Sequence, residues 1–495
     1  MGPEAAHPEL PPEVWRRILE FYQLRNGNKF KSICQVNRLF YDFAMVYKGR
    51  RFETLDLRLP VGRGTTNLLR ARWVSCSTIV AENHNSWPSG LCLFFSNPWL
   101  AERLKSIYFS TSTLVELMAG GLTFLLPLSL RPPPTFPLPL LGSYDVEAAL
   151  AHPLIQCISE VLPNVKNLHE YVVTVEYSPM YASKHSELER RLLRILLAQL
   201  PIGGLASTPR LQLHVDSCKF PLLLDELLVA DLSTLKVLYI TASHSFTRLR
   251  GAIDSTKLQA LFQRLAPLES LHISSGDYAV AAHINSIFDN DIILPKLRRL
   301  EITMTFDNIW SIRAICSNYP MMTVLELNLI VSGPRRDPLP LSALDLPNLH
   351  VFTLSMKWHM NPTTFWHGQF NSPHLRTLRL VKCLKEPQRR DLRYTTTKIC
   401  GFFKSESITH LETDVSVLEK YVLDIFAASF PKLRTLAIRA EGRQGIVRFE
   451  EEMRGHTFPG WNIHEATLSV AGKVDQQLVA LLRKCLDQPV LAPDT

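Results

Sequence analysis

The side chains best suited to chemistry in this sequence are four histidines, His350, His359, His367 and His374, which follow one another at intervals of 9, 8 and 7 residues. Imidazole binds zinc, but zinc sites usually take their ligands in tighter pairs. The spacing therefore favours ordinary surface histidines over a metal site.

The cysteines and the common catalytic motifs point away from an enzyme. Nine cysteines are scattered without a Cys-x-x-Cys pair, which argues against a zinc site and a disulfide framework and suits a reducing compartment. Cys34 and Cys316 fall on apolar helical faces, where cysteine is usually an inert core residue. The sequence holds no glycine-rich phosphate loop, Gly-x-Ser-x-Gly or His-Glu-x-x-His motif. We therefore predict a non-catalytic protein without a cofactor.

Aromatic side chains cluster around two of the histidines. Trp358, Phe365, Trp366 and Phe370 lie between two predicted strands. Exposed tryptophans often anchor a protein partner, so this segment is one candidate binding patch. An aromatic-rich crossover packed on the core would show the same composition, and both interpretations stay open.

Composition describes an ordinary globular protein. The chain has 495 residues, 46% of them hydrophobic and 20% charged, with a formal net charge of +8. This balance argues against global disorder, and a mild basic excess permits acidic partners or nucleic acid without requiring either. The most apolar run, Leu114–Leu130, is too short for a membrane span and contains Glu116 and Pro127. The start of the chain has no apolar leader, so we expect a cytoplasmic or nuclear protein without a membrane partner.

The chain is organised around a repeated pattern of a proline followed by apolar residues at +2, +5 and +7. Leu297, Leu300 and Ile302 after Pro295 are one copy, and without its proline Leu235 opens another. Starts at Leu235, Leu268, Leu297, Met322, Leu349 and Leu375 are 33, 29, 25, 27 and 26 residues apart. A period of this size predicts units that must stack to bury their apolar faces.

Each copy is typical of a short strand, and the gaps between copies have helical periodicity. Leu258, Leu261, Phe262 and Leu265, for example, fall at i, i+3, i+4 and i+7. Alternating strands and helices predict an α/β fold with parallel strands and crossover helices. The pattern resembles an irregular leucine-rich-repeat solenoid. Regular repeats of that family place Asn or Cys eight residues after the first leucine, and only Cys383 conforms here.

Alternation along the strands turns every second residue away from the core. The residues expected on this outward face are Tyr239, Thr241, His272, Glu301, Thr303, Glu326, Asn328, Thr353, Ser355, Arg379, Val381 and Arg439. We expect an acidic region near Glu301 and Glu326 and a basic region near Arg379 and Arg439. Such faces bind partners in repeat proteins, and a merely solvated face would look the same. The candidate substrate contacts are Tyr239, His272, Glu301, Glu326, Thr353, Trp358, Trp366, Arg379 and Arg439.

The N-terminal segment has a different character, since it predicts two short amphipathic helices. Pro11 and Pro12 suit a first helical turn, and Val14, Ile18 and Phe21 give one apolar face. A second helical stretch covers residues 30–47. So small a unit has little core of its own and usually packs on a partner.

Residues 8–57 resemble an F-box of the fungal type. The opening Leu-Pro-x-Glu-Val-x-x-x-Ile-Leu matches residues 10–19, and the later Val-x-Arg-x-Phe-x-Asp run matches residues 36–42, with Asn37 where cysteine is usual. The resemblance implies a small all-α hairpin that docks a Skp-family adaptor and, through it, a cullin. The residues it implies for adaptor binding are Leu10, Pro11, Val14, Ile18, Leu19, Ile33, Val36 and Phe40. An amphipathic hairpin that caps the first repeat is the simpler alternative.

These observations predict four regions along the chain. They are an F-box at 8–57, an irregular region at 58–160 with a proline-rich insertion at 127–139, a leucine-rich-repeat solenoid at 161–475, and a C-terminal cap and tail at 476–495. The preferred hypothesis is a substrate-recognition subunit of a Skp–cullin–F-box ubiquitin ligase that binds an unknown protein substrate. A scaffold that binds the adaptor without forming a ligase is the alternative. A nucleic-acid-binding solenoid, suggested by the +8 charge and by Arg389, Arg390 and Arg393, is disfavoured because acidic residues are spread among the basic ones.

Overall fold

The structure is a computed structural model that describes only part of the chain. The described residues are 54–57, 105–118, 146–151, 155, 158–159, 162, 165, 168–176, 186–198, 210–243, 253–288, 293–305, 311–330, 344–356, 370–384, 389–441, 446–458 and 461–486. The chain divides into two units. The first comprises Met1–Phe109, Glu116–Glu170 and Gly203–Ser207, and the second comprises Ser110–Val115, Tyr171–Ile202 and Thr208–Thr495.

Short strands alternate with helices along the described chain. The strands are β1 (Thr54–Leu57), β2 (Ser106–Ser110), β3 (Glu170–Val175), β4 (Arg210–Asp216), β5 (Val237–Ser243), β6 (Ser270–Ser275), β7 (Arg299–Thr305), β8 (Val324–Ile330), β9 (Leu344–Asp345), β10 (Val351–Met356), β11 (Phe370–Asn371), β12 (Thr377–Leu384), β13 (His410–Val415), β14 (Thr435–Ala440), β15 (Glu465–Val470) and β16 (Lys473–Val474). The helices are α1 (Thr111–Met118), α2 (Val146–Leu150), α3 (Ser186–Ala198), α4 (Phe220–Val229), α5 (Ser255–Arg264), α6 (Tyr278–Phe288), α7 (Ser311–Asn318), α8 (Arg389–Phe402), α9 (Lys420–Ser429), α10 (Ile446–Met453) and α11 (Gln476–Cys485).

In the first unit, β1 pairs in parallel with β2, joining Thr54 to Ser106 and Leu57 to Phe109. Ile107 and Phe109 of β2 are fully buried.

In the second unit, the main sheet follows the order β3-β4-β5-β6-β7-β8-β10-β12-β13-β14-β15-β16. Neighbouring strands from β4 to β15 are parallel, and only the short final strand β16 is antiparallel to its neighbour. Parallel neighbours need a crossover between them, and helices supply most of these crossovers. The predicted α/β class with parallel strands is confirmed for this part of the chain.

The apolar residues of the repeat pattern explain this arrangement. In the copy that begins at Leu297, Leu297, Leu300 and Ile302 are at most 1% exposed, whereas the alternating Arg299 and Glu301 are exposed or half-buried. Side chains at successive strand positions face opposite sides of the sheet. One face is therefore buried throughout, and consecutive helices of the series, such as α4 on α5, contact one another.

Helix starts follow local signals. The Asp254 side chain accepts hydrogen bonds from the backbone N–H groups of Thr256 and Lys257 and begins α5, and Asp475 does the same for α11. Helix α11 lies within the C-terminal region predicted at 476–495. The other regional boundaries remain predictions, and the predicted F-box hairpin and the proline-rich insertion lie outside the described residues.

Two strand–helix units downstream of Leu375 do not match the repeat pattern. Strand β13 follows buried Ile408 and contains buried Leu411, but Thr413 occupies the position of the third apolar residue. The Thr413 hydroxyl donates to the carbonyl of Leu380 at 3.3 Å, which lets a polar residue sit in the core. Strand β15 pairs in parallel with β14 like the strands before it, although Ala466 takes the place of the second apolar residue of the pattern.

Phe370 belongs to the core rather than to a surface patch. It is 4% exposed and lies against Phe352, Phe403 and Phe402, with ring centroids 5.1, 5.3 and 6.0 Å away. Its short strand β11 pairs with β9. For this residue the packed-crossover interpretation is the one that holds.

Candidate protein-interaction surface

The strand register brings one set of outward residues into a single line across the second unit. We call this line the sheet-face row, and its members are Gln212, Tyr239, His272, Glu301, Glu326, Thr353, Arg379, Glu412, Ala437 and Thr467. Neighbouring strands lie about 4.8 Å apart. Apart from Ala437, the row therefore forms a strip of polar and aromatic side chains opposite the buried face.

Near one end of the row, three planar side chains stack on one another, and the Glu301 carboxylate lies beside the last of them. The Arg210 guanidinium lies over the Tyr239 ring at 3.5 Å from its centroid, and Tyr239 stacks on His272 at 4.9 Å with an interplanar angle of 20°. Nδ1 of His272 lies 2.7 Å from Oε2 of Glu301, although the two are not aligned for a hydrogen bond. A cation over a tyrosine face and stacked rings both hold side chains in place. Tyr239 is therefore held in a fixed orientation.

The middle of the row combines an ion pair with an unsatisfied hydroxyl. Arg299 faces outward on the strand next to that of Glu326. Its guanidinium donates a hydrogen bond to the Glu326 carboxylate at 2.6 Å. The next member, Thr353, has a buried Oγ1 that finds no hydrogen-bond partner among the described residues. A buried hydroxyl without a partner is uncommon.

The other end is an alternating cluster of charges. Arg379 Nε lies 3.2 Å from a Glu412 carboxylate oxygen, and Arg439 donates to the other oxygen of Glu412. Arg439 also lies 3.8 Å from Asp414. The second oxygen of Asp414 accepts from the backbone N–H of Lys382 at 3.2 Å, where Lys382 has a φ of 59°. That bond supports a left-handed residue at the point where the register between β12 and β13 shifts.

Two expectations for this face need correction. The region around Arg379 and Arg439 is not basic, because Glu412 and Asp414 lie between and beside the two guanidinium groups. Thr303 does not face outward in the open; it is 4% exposed and accepts a hydrogen bond from the backbone N–H of Ser275.

The structure describes seven of the nine candidate substrate contacts. Six of them form part of the sheet-face row: Tyr239, His272, Glu301, Glu326, Thr353 and Arg379. Arg439 lies two residues beyond the row on β14 and joins it through Glu412. Trp358 and Trp366 lie outside the described residues, as do all eight adaptor-binding candidates: Leu10, Pro11, Val14, Ile18, Leu19, Ile33, Val36 and Phe40.

Sequence reasoning missed Arg210, Arg299, Glu412 and Asp414. Arg299 has the same outward parity as Glu301, so alternation alone could have found it. Glu412 and Asp414 were missed because Thr413 interrupts the apolar pattern of their strand. Arg210 lies on β4, upstream of the first copy that the pattern detected.

The described residues contain no group of three or more His, Cys, Asp or Glu side chains placed to hold a metal ion. Burial raises the pKa of the Cys316 thiol to about 12 and also raises the pKa values of Cys383 and Cys400, so these thiols stay protonated. The rings of His350 and His374 lie 6.2 Å apart at exposed positions.

Comparison with known proteins adds little. No protein-family model matches the sequence, and no curated protein is significantly similar to it. Among solved structures, the crystal structure of the Rad7 and Elc1 complex in yeast aligns over 88% of this chain and 94% of that chain, with 12% sequence identity and a TM-score of 0.30. Nothing about the function of this chain follows from so distant a likeness. Within the described ranges, no helix is both long and apolar enough to span a membrane.

Proposed function

We propose that the chain is the substrate-recognition subunit of a Skp–cullin–F-box ubiquitin ligase. The observation that carries this proposal is the one-sided parallel sheet of the second unit, whose free face presents aromatic and charged side chains in register. An array of this kind has the properties of a leucine-rich-repeat partner-binding domain. The F-box resemblance of residues 8–57 supplies the link to a ligase.

In this proposal the two regions have separate tasks. Residues 8–57 dock a Skp-family adaptor through the apolar positions that the resemblance implies, and the adaptor recruits a cullin. The repeat array holds the substrate protein. The chain performs no bond chemistry; it raises the effective concentration of a substrate lysine near the conjugating enzyme, which is a proximity effect.

The substrate would contact the sheet-face row and Arg439. Tyr and Arg are the residue types most enriched among binding hot spots. Tyr239 is already oriented by Arg210 and His272, and Arg379 and Arg439 are oriented by Glu412. Ordering a side chain on binding costs about 0.5–1.5 kcal/mol, so groups that are oriented beforehand bind at a lower entropic cost. The row carries both acidic and basic side chains, which favours a partner with a complementary mixture of charges over a uniformly charged one.

The test is a pull-down with purified Skp-family adaptor and cullin. We expect the wild-type chain to retain both partners and the variant Leu10→Ala/Ile18→Ala/Phe40→Ala to lose both, since truncating a hot-spot side chain costs about 2 kcal/mol or more. The control Arg17→Ala/Gln23→Ala/Lys31→Ala changes the same segment at positions outside the implied contacts and should bind normally. A second control, Tyr239→Ala/Arg379→Ala, should also keep the adaptor.

The possible results separate the hypotheses. A folded wild-type chain that binds no adaptor refutes the receptor function. Adaptor binding without cullin recruitment supports the alternative scaffold function. Equal losses in the Leu10 variant and in its in-segment control would show that the segment unfolds rather than loses a contact.

A further inference from the structure

A second line of residues crosses the second unit where the strands begin. We call it the strand-start row; its members are Lys236, Glu269, Arg298, Thr323, His350, Arg376, Thr409, Arg434 and His464. Each follows a buried apolar residue of the turn, as Arg298 follows Leu297. The backbone N–H of each member donates to the carbonyl oxygen of the member before it, over 2.7–3.0 Å. The row is therefore as well ordered as the sheet itself.

From Arg298 onward this row carries positive charge without compensation. Arg298, Arg376 and Arg434 are exposed, and none of their guanidinium groups has an ion-pair partner within the described ranges. The acidic member, Glu269, lies earlier in the row and pairs with Lys236 at 3.3 Å. The sheet-face row differs, because Arg379 is neutralised there by Glu412.

Basic residues also flank the row. Lys296, His374 and Lys432 each lie two residues before an arginine of the row and are exposed. Of these three, Lys432 pairs with Glu406 at 3.3 Å. A strip of one sign of charge attracts ligands of the opposite sign and steers their approach. Because the backbone groups of the row already bond one another, recognition there falls to the side chains.

The spacing of the three arginines matches an extended polypeptide. Neighbouring strands are about 4.8 Å apart, so Arg298 and Arg376 are separated by about 14 Å and Arg376 and Arg434 by about 10 Å. An extended chain rises about 3.3 Å per residue and turns every second side chain to the same side, so a chain with carboxylates at every second position brings one within about 3.3 Å of each arginine along its length. A segment of about nine residues spans the row from Arg298 to His464.

We propose that the strand-start row from Arg298 to His464 binds an acidic, extended segment of a partner protein. Its members include no tyrosine, phenylalanine or tryptophan on which a nucleic-acid base could stack, which favours a polypeptide over a single-stranded nucleic acid. This contact goes beyond the proposed function, because it needs neither the F-box segment nor the sheet-face row.

The test uses a fluorescein-labelled peptide of about twelve alternating Glu and Ser residues, long enough to cover the row, and measures fluorescence anisotropy without adaptor. The variant Arg298→Glu/Arg376→Glu/Arg434→Glu should weaken binding at least about tenfold, since three attractive contacts become repulsive. The matched control Lys404→Glu/Arg454→Glu/Lys484→Glu makes the same charge change at exposed positions off the row and should weaken binding less than about twofold. A peptide with Gln in place of Glu should not bind.

Several outcomes would overturn the proposal. They are no peptide binding by the folded wild-type chain, equal losses in the row variant and the control, and row-dependent binding of a charge-matched oligonucleotide that is tighter than peptide binding. If the Glu variant does not fold, Arg298→Gln/Arg376→Gln/Arg434→Gln tests the same contact without repulsion and should still weaken binding more than its Gln control. Because the assay contains no adaptor, its failure is distinguishable from failure of the ligase proposal.

Discussion

Replacing Phe370 by alanine should destabilise the β9–β11 region without acting through a binding site. Phe370 is 4% exposed, and its ring centroid lies 5.1–6.0 Å from three other phenylalanine rings. A partner-binding aromatic would instead be exposed in the free protein. The substitution therefore distinguishes a core ring from a surface anchor.

The expected magnitude follows from the contacts. Truncating a buried phenylalanine to alanine costs about 3–5 kcal/mol. In the described part of the chain β11 has two residues and pairs with β9 alone, so its surroundings relax more than those of a central strand, and we expect about 3 kcal/mol. Phe370→Leu keeps most of the apolar area but loses ring pairs worth about 0.5–1.5 kcal/mol each, so it should cost about half as much.

Hydrogen exchange by mass spectrometry measures this locally. In Phe370→Ala, amides of β9, β11 and the end of α8 should exchange about a hundredfold faster, while those of β4 to β6 stay unchanged. The control Tyr394→Ala removes a 52% exposed aromatic ring from α8 and should change exchange little. Unchanged exchange in Phe370→Ala, combined with loss of a protein partner, would refute the assignment of this ring to the core.

Two further predictions concern buried polar atoms. Thr353→Val should leave the free energy of unfolding unchanged or raise it, because the buried Thr353 hydroxyl has no hydrogen-bond partner among the described residues. Thr413→Val should lower the free energy of unfolding by about 1 kcal/mol, because the Thr413 hydroxyl donates to a backbone carbonyl. Urea titration of both variants tests this prediction, and equal effects of the two substitutions would contradict it. Burial raises the pKa values of the Cys316, Cys383 and Cys400 thiols, to about 12 for Cys316, from an ordinary value near 9. The stability that protonation of these thiols contributes should be complete below pH 9 and fall as pH rises toward 12, since only the unfolded chain then releases the protons. At pH 8 the folded protein should resist alkylation at all three, and rapid modification would show that the thiols are accessible.

Much of the fold was predictable because its main signal is local. Leu297, Leu300 and Ile302 indicate where a strand lies and which face it buries, and the helical spacing from Leu258 to Leu265 indicates the crossover. The prediction failed at β13, where Thr413 is buried through a hydrogen bond to Leu380 rather than through apolarity. A pattern of apolar residues cannot indicate a buried polar side chain whose hydrogen bond is made to the neighbouring strand.

The candidate surface was predictable in part of its membership but not in its charge. Alternation correctly assigned Glu301, Glu326 and Arg379 to the outward face. The partner of Arg379 is Glu412, which is 33 residues away in the sequence. The exposed arginines at the strand starts were visible as residues that follow a turn leucine, but their lack of partners depends on which side chains the register places beside them.

The sequence by itself determined that repeated strand–helix units form, because the apolar spacing of each unit is local and its buried face follows from the period of the strand. It also determined the resemblance of residues 8–57 to an F-box, which is a match of residue types at fixed spacing. Only the tertiary structure decided which polar residues become neighbours, because the units differ in length and the register between strands depends on hydrogen bonds between distant segments. That register neutralises Arg379 on the sheet face, whereas Arg298, Arg376 and Arg434 at the strand starts have no ion-pair partner among the described residues.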